Sequence, residues 1–527
     1  MSTYSYDEIA YISTSFPQTH PIKAATIARL FGVAAPDMER CNVLELGCAD
    51  GANILPMAQN YPNSTFVGID LSIKQIEAGQ KTIRETGLSN ITIDHKNILD
   101  FDRQGMQFDY IIVHGVYSWV PEVVRERILS LCREALTPNG VAYISYNALP
   151  GWHMRGMLRD MMLFHTVQFT EQTQKIAQSR ALLKFLSDSV PTDNNSYGQF
   201  LHGELTRMTD WTDSYLRHEF LEEDNRAFYF HEFSAAAAKH DLQYLGEPEL
   251  SSVLPTNFAP EVQGTLYKIA RNITAMEQYM DFLRNRTFRM TLLVKKEHKL
   301  NRSINPIALR EFWFGSAARP LNEKVNLDAG VKEDFRIGKS SVTSDSTLVK
   351  AVIVALHQAA PAHLHFKEVV TAVRELLAIS TNGIRDRAQT EQEETVLCDQ
   401  LLVLLSRGMV EAIVRPHVPV ATSFVGKPIT SPLIRYQALH HPSHVTTLRH
   451  SSINVDTFAR HLISLLDGTR DIDALIQGMA EKVQSGVFSV HDDGQPITDG
   501  AKLTTILKPR VELVTAHLAK LALLQQP

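Results

Sequence analysis

Cysteine is scarce. The 527 residues contain four, Cys41, Cys48, Cys132 and Cys398, and no two form a Cys-x-x-Cys pair. This spacing excludes a disulfide framework and a thiolate zinc site. No apolar run approaches the roughly 18 residues that a bilayer span requires, so membrane insertion is not expected. The start, Met1-Ser-Thr-Tyr-Ser-Tyr-Asp-Glu8, has neither a basic segment nor an apolar one, which argues against a signal peptide and for a cytoplasmic, reducing location. Dense Lys/Arg runs are also missing. With 52 basic against 58 acidic residues the formal charge is −6, which excludes a general nucleic-acid binder. No repeat or low-complexity tract stands out. What remains is ordinary for a soluble globular chain, 44% hydrophobic and 21% charged. Length suggests about three to four units of roughly 150 residues each.

The first 150 residues alternate short apolar runs with helical stretches. Asn42–Leu46, Ser64–Asp70, Ile91–His95, Phe108–His114 and Val141–Tyr146 read as buried strands, separated by helices with cap signals such as Ser72, Gly87 and Pro121. That alternation predicts an α/β fold, a Rossmann-like parallel sheet. Residues 151–225 are helix-rich and read as an insertion. The strand pattern resumes with Leu242–Glu247 and Arg286–Lys295, so a seven-stranded catalytic domain is expected over 1–150 and 226–298. A linker or irregular segment is expected at 299–346 and a winged-helix-like module at 347–420. A helical C-terminal domain over 421–527 completes the chain.

The chemistry-bearing segment is Glu45-Leu-Gly-Cys-Ala-Asp-Gly51, between the first strand and a helix. Glycine at Gly47 and Gly51 lets backbone approach a ligand closely. Asp70 ends the second strand, where an acid accepts hydrogen bonds from ribose hydroxyls. The loop has neither Gly-x-Gly-x-x-Gly nor a Lys-Ser/Thr ending, so an adenosyl ligand without phosphates fits better than NAD or ATP.

Here the chain resembles the class I S-adenosylmethionine methyltransferases. Their acid-x-Gly-x-Gly-x-Gly motif matches Glu45-Leu-Gly47-Cys48-Ala49-Asp-Gly51, with Ala49 in place of the middle glycine. The resemblance implies S-adenosyl-L-methionine as cofactor, with Asp70 and Leu71 at the ribose and Asn97 and Ile98 at the adenine. A narrower resemblance rests on Tyr6–Tyr11, Phe16-Pro-Gln-Thr-His-Pro21, His114–Pro121, Tyr146–Trp152 and Glu277–Arg289. These segments are similar to bacterial methyltransferases carrying a methyltransferase regulatory domain, among them the rickettsial protein-lysine methyltransferases that modify outer-membrane proteins. The implied protein is a homodimeric protein-lysine methyltransferase acting on a protein substrate such as an outer-membrane or surface protein precursor. The family motif also puts Gln18, Thr19 and His20 over the methionine moiety.

Lysine methylation needs a channel for an aliphatic stem and an amine that has lost its proton. Tyr117, Trp119, Tyr146 and Trp152 follow the fourth and fifth strands, at the carboxyl edge where open α/β sheets bind ligands. Tyr146 is the candidate for contact with the substrate amine. Trp119 and Trp152 read equally as channel walls or as packing for the insertion. His114 reads as a structural histidine or a base, and Cys48 as a small apolar filler. His440-His441-Pro-Ser-His444 lacks the spacing of a metal site, and none is expected. Two rival functions remain open, a small-molecule methyltransferase and a non-catalytic cofactor sensor.

Overall fold

The computed structural model describes residues 13–377, 387–424, 426–441, 444–492, 495–497 and 500–526. The Tyr6–Tyr11 motif and residues Pro442 and Ser443 lie outside them.

One mixed sheet organises the catalytic domain. Its strands are β1 (Asn42–Leu46), β2 (Thr65–Asp70), β3 (Ile91–His95), β4 (Phe108–Val113), β5 (Leu136–Asn147), β6 (Leu242–Gly246) and β7 (Phe288–Lys295). Their order is β3-β2-β1-β4-β5-β7-β6; the first five run parallel and β7 runs antiparallel to both its neighbours. Helices cover both faces, so the central strands are continuous apolar runs: Val43, Leu44, Leu46, Ile111 and Val113 are wholly buried. Chain order reverses between β1 and β4, which opens a crevice at their carboxyl ends.

Helix α1 (Pro21–Leu30) is apolar nearly all round, with Ile22, Ala24, Ala25, Thr26, Ile27, Ala28 and Leu30 all buried. Such a helix needs cover on two sides. The sheet supplies one and the 300–414 region the other, through Lys23–Glu411 at 2.9 Å and the Val414 N–H donating to Thr26 Oγ1 at 3.1 Å. Helices α2 (Leu55–Asn60), α3 (Ile73–Thr86) and α4 (Glu122–Ala135) follow the next strands. The insertion consists of α5 (Trp152–Thr166), α6 (Gln172–Ser189), α7 (Ser196–Met208) and α8 (Asp213–Phe220), around its own core of Leu158, Met162, Ile176, Leu183, Leu201 and Phe220.

The last two strands are held by buried charge. Arg289 on β7 is fully enclosed. It donates to Asp281 (2.8 Å), Glu247 (2.9 Å) and Glu277 (2.9 Å), and its guanidinium lies 4.0 Å from the centroid of the Phe230 ring. Arg286 adds a second cation at 3.1 Å from Glu247. Three carboxylates face two guanidiniums. Burial therefore raises the pKa values of Glu277 and Asp281, with Arg289 pulling the other way.

Two boundaries need correction. Residues 299–346 are not a linker. Strand Trp313–Ser316 sits between Leu364–His365 and Val410–Ile413 in a three-stranded sheet, with Leu309, Phe312, Phe314 and Phe335 buried. Strands this short leave no readable period. The C-terminal unit is not purely helical either. It contains the hairpin His444–Thr446/Ser452–Asn454 and the pair His491–Asp492/Gln495–Pro496 among helices Pro432–His440, Thr457–Ile463, Ile472–Gln484 and Gly500–Lys520. Among the described residues no helix is long and apolar enough to cross a membrane.

Replacing Arg289 with methionine leaves three carboxylates buried with one cation. Destabilisation of about 3–5 kcal/mol is expected, read as a fall in the urea midpoint of unfolding.

Candidate active site

The crevice is a cavity of about 1120 Å3, with the loop after β1 as its floor. The chain turns there through three left-handed residues: Gly47 (φ +77°), Ala49 (φ +50°) and Gly51 (φ +82°). A Cβ on Gly47 would lie 2.4 Å from Val116 Cγ2, so only glycine fits. Asp70 ties the loop down. Its Oδ2 accepts from the Ala49 N–H (2.9 Å) and its Oδ1 from the Ser72 N–H (2.8 Å). Helix α3 approaches so closely that a Cβ on Gly79 would stand 2.3 Å from the Asp50 carbonyl oxygen.

Glu45 is buried at the end of β1. Its Oε1 accepts from Asn53 Nδ2 at 2.7 Å, whereas its Oε2 has no hydrogen-bond partner. Burial pushes its pKa up to about 8, against the pull of Asn53. A buried carboxylate with one oxygen unpartnered, beside a ribose-type acid and a glycine floor, fits an adenosyl amino acid with a cationic amine.

Glu45, Gly47, Cys48, Asp70, Leu71, Asn97, Ile98, His114, Trp119 and Trp152 all line this cavity. Gly51 shapes the loop from behind and is not on the wall. Cys48 is buried with its thiol pushed well up, an inert filler against Gly68. Asn97 Oδ1 accepts from the Leu99 N–H at 2.9 Å and so orients Ile98 and Leu99 along the wall. His114 Nδ1 lies 3.0 Å from the Tyr143 hydroxyl and 3.2 Å from Ser145 Oγ, and burial lowers its pKa to about 4. Trp119 and Trp152 meet edge to face at 6.4 Å between centroids.

Four expected residues are elsewhere. Tyr146 is 1% exposed, stacked on Phe233 at 4.2 Å with its hydroxyl 3.1 Å from Thr291 Oγ1. Tyr117 packs with it against Phe228 and Phe233. Neither faces the cavity, and both are corrected to core residues. Strand alternation explains the error, since Asn147, one residue on, turns to the opposite face and lines the cavity. Gln18 and His20 are also off the wall. His20 caps α1, its Nδ1 accepting from the Ile22 N–H, and packs against His417 and His450; Ser13 and Phe16 reach the cavity instead. Sequence reasoning missed Phe16, Asn53, Gln75, Asn147 and Phe288. It also missed the run Glu219–Asp224, whose clustered acids were a visible signal inside the insertion.

That run lines the far end. Arg155 pairs with Glu219 (3.0 Å) and Arg217 approaches Glu222 (3.4 Å), while Glu223 and Asp224 stand exposed at the mouth. Among the described residues no group of three or more His, Cys, Asp or Glu side chains is arranged to hold a metal ion.

Residues 43–140 match the methyltransferase domain family, 212–295 a predicted methyltransferase regulatory domain, and 426–523 the C-terminal winged helix domain of PKMT. An uncharacterized protein of Rickettsia prowazekii is 37% identical over 96% of this chain and 92% of its own length. PKMT2 from Rickettsia typhi, solved in complex with AdoHcy, is 31% identical; the match covers 98% of this chain and all of that one, with a TM-score of 0.86. The chain belongs to the PKMT family of methyltransferases. It is an S-adenosylmethionine-dependent enzyme with a Rossmann-like core. In this chain the regulatory-domain match spans β6 and β7, so it completes the catalytic sheet and supplies Phe288 to the cavity. The winged-helix match falls at 426–523, while the described residues of 347–413 hold three helices and two strands of the sheet built on Trp313–Ser316.

Two outcomes follow. Tyr146→Phe should cost about 1 kcal/mol of stability through the lost Thr291 contact and leave turnover within about twofold. S-adenosylhomocysteine binding at pH 7 should release close to one proton, because its ammonium favours ionised Glu45 where the free carboxyl holds a proton up to about pH 8. The release should fade above about pH 9 and vanish in Glu45→Gln, measured by calorimetry in buffers of different ionisation enthalpy.

Proposed function

We propose that this enzyme transfers a methyl group from S-adenosylmethionine to the side-chain amine of a protein lysine. The observation that carries the reading is the continuity of the cavity from Glu45 and Asp70, past the Trp119–Trp152 pair, to a mouth bearing the exposed Glu223 and Asp224. A cationic side chain on a long stem suits that gradient. Exposed carboxylates attract the ammonium, and aromatic faces hold the methylene stem and the cation.

The bound cofactor supplies an electrophilic methyl group. Glu45 would hold its amine, Asp70 its ribose, and Asn97 with Ile98 its adenine. Phe16, Phe288 and Trp119 line the cavity between the two ends and exclude water around the reacting atoms. A free lysine titrates near 10.4, and the apolar stretch between the carboxylate ends lowers that value, favouring the neutral nucleophile. The buried Asn147 side chain lines the cavity and offers an amide oxygen to orient the amine. His114, lowered to about 4, is too weak a base to take the proton at neutral pH, so the proton leaves through the mouth to water. Most of the acceleration then comes from alignment of the two reactants.

The complex of PKMT2 with AdoHcy supports the cofactor assignment. A homodimer is proposed through the insertion, whose Phe164, Val167 and Phe185 are strongly exposed. Four free buried cysteines suit a reducing cytoplasm, where a surface or outer-membrane protein precursor would be met before export.

Incubating the enzyme with radiolabelled cofactor and a fractionated bacterial lysate should put label on lysines of discrete proteins, identified by mass spectrometry. Label confined to small molecules would refute the proposal. Neutralising the mouth with Glu223→Gln and Asp224→Asn together should raise KM for a lysine-rich peptide about three- to tenfold while cofactor affinity holds.

A further inference from the structure

A turn of the C-terminal unit reaches into the catalytic domain. It joins His444–Thr446 to Ser452–Asn454 and is tightly wound. The Thr447 N–H donates to the Ser451 carbonyl (2.8 Å), and Thr447 Oγ1 accepts from the N–H groups of Arg449 and Ser451 (3.2 Å each). His450 sits at φ +62°, a left-handed conformation that a residue with a side chain rarely adopts. Such strain persists where the surroundings hold it, and it concentrates at functional sites.

The two side chains at the tip serve different partners. Arg449 contacts His363 (2.6 Å) and approaches Glu411 (3.8 Å), both in the middle unit, and Glu411 also holds Lys23 of α1. His450 is 1% exposed, and its Nε2 lies 3.0 Å from Asn53 Oδ1. An amide oxygen only accepts, so Nε2 carries the proton; Nδ1 has no partner. The same Oδ1 accepts from the Phe16 N–H (3.0 Å) and Thr19 Oγ1 (3.1 Å), while Asn53 Nδ2 donates to Glu45. One amide thus joins the segment bearing Phe16, the carboxylate at the end of β1 and the tip of the C-terminal hairpin. All of these except the tip are on or beside the cofactor cavity.

We infer that His450 is a positioning residue for the cofactor site: through it the C-terminal unit holds Asn53, and with it Glu45 and Phe16, in the geometry that receives the cofactor. The C-terminal unit is then a working part of the catalytic site. By linkage, seating of the hairpin tip and cofactor binding strengthen each other by the same factor. The inference rests on the cavity taking S-adenosylmethionine, which the affinity of the unaltered chain for S-adenosylhomocysteine tests by itself.

The experiment compares the full-length chain with His450→Ala and His450→Gln by calorimetry against S-adenosylhomocysteine, with thermal melts alongside. Alanine should weaken binding about tenfold by removing the contact through which the hairpin tip holds Asn53. Glutamine, whose amide can donate from nearly the same place, should restore affinity to within about threefold. Unchanged affinity in the alanine variant, or glutamine binding as weakly as alanine, overturns the inference. Where the melt shows that the alanine variant does not fold, hydrogen exchange on the unaltered chain decides. The amides of Thr447, His450 and Ser451 should exchange more slowly with ligand bound, and equal rates with and without it overturn the inference.

Discussion

The wall that β7 gives to the cavity depends on the enclosed charge cluster around Arg289. A guanidinium taken out of water is costly, and it is tolerated here because three carboxylates and the Phe230 ring surround it. Those carboxylates come from the segment just after β6 and from the helix Ile273–Arg284, so the cluster pins β7 against both. The register of β7 follows, with Phe288 opposite Asn147 and Met290 opposite Ser145. Both members of that first pair line the cavity. A slip of one residue would turn each side chain to the other face and remove Phe288 from the site. The burial that makes the cluster expensive also makes the register unambiguous.

The cofactor end is built on backbone instead. Gly47, Ala49 and Gly51 take left-handed conformations, and Asp70 closes the turn through two N–H groups while remaining on the cavity wall. Local geometry of this kind is written in short contiguous motifs. That is why the turn at Glu45–Gly51 could be read from the chain alone, along with the seven strands and their helices. The rest of the cavity is assembled from pieces far apart in sequence: Phe16, Asn147, Glu219, Glu222, Glu223, Asp224 and Phe288. No local pattern links them. Of the aromatic residues expected there, Trp119 and Trp152 are on the wall, whereas Tyr146 is not, because a strand alternates faces. Tyr146 went into the layer under Phe233, and Asn147 took the place expected of it.

The middle of the chain was the least legible part, for a related reason. Strands of two to five residues, such as Leu364–His365 and Glu333–Ile337, carry too few side chains to show a period, and the partner of Leu364–His365 is far back in the chain, at Trp313 and Phe314. Charged residues between them resemble a solvated linker. Only the burial of Leu309, Phe312, Phe314 and Phe335 shows that the segment is part of a core. That core is continuous with the catalytic sheet, running from Val43 and Tyr110 through Phe314 to Ile353 and Leu401.

The all-round apolar helix α1 carries a cost in time as well as in space. It leaves the ribosome among the first elements of the chain, yet the strand Val410–Ile413 and Val414, which pack on one of its sides, are made long after the sheet that covers the other. At ordinary synthesis rates of about 5–20 residues per second, that interval, the roughly 120 residues between the end of β7 and Val414, lasts on the order of 6–24 seconds. Through it a nascent catalytic domain would present an uncovered apolar helix, a natural holding point for a chaperone. A fragment ending before the middle unit would keep that stripe exposed permanently.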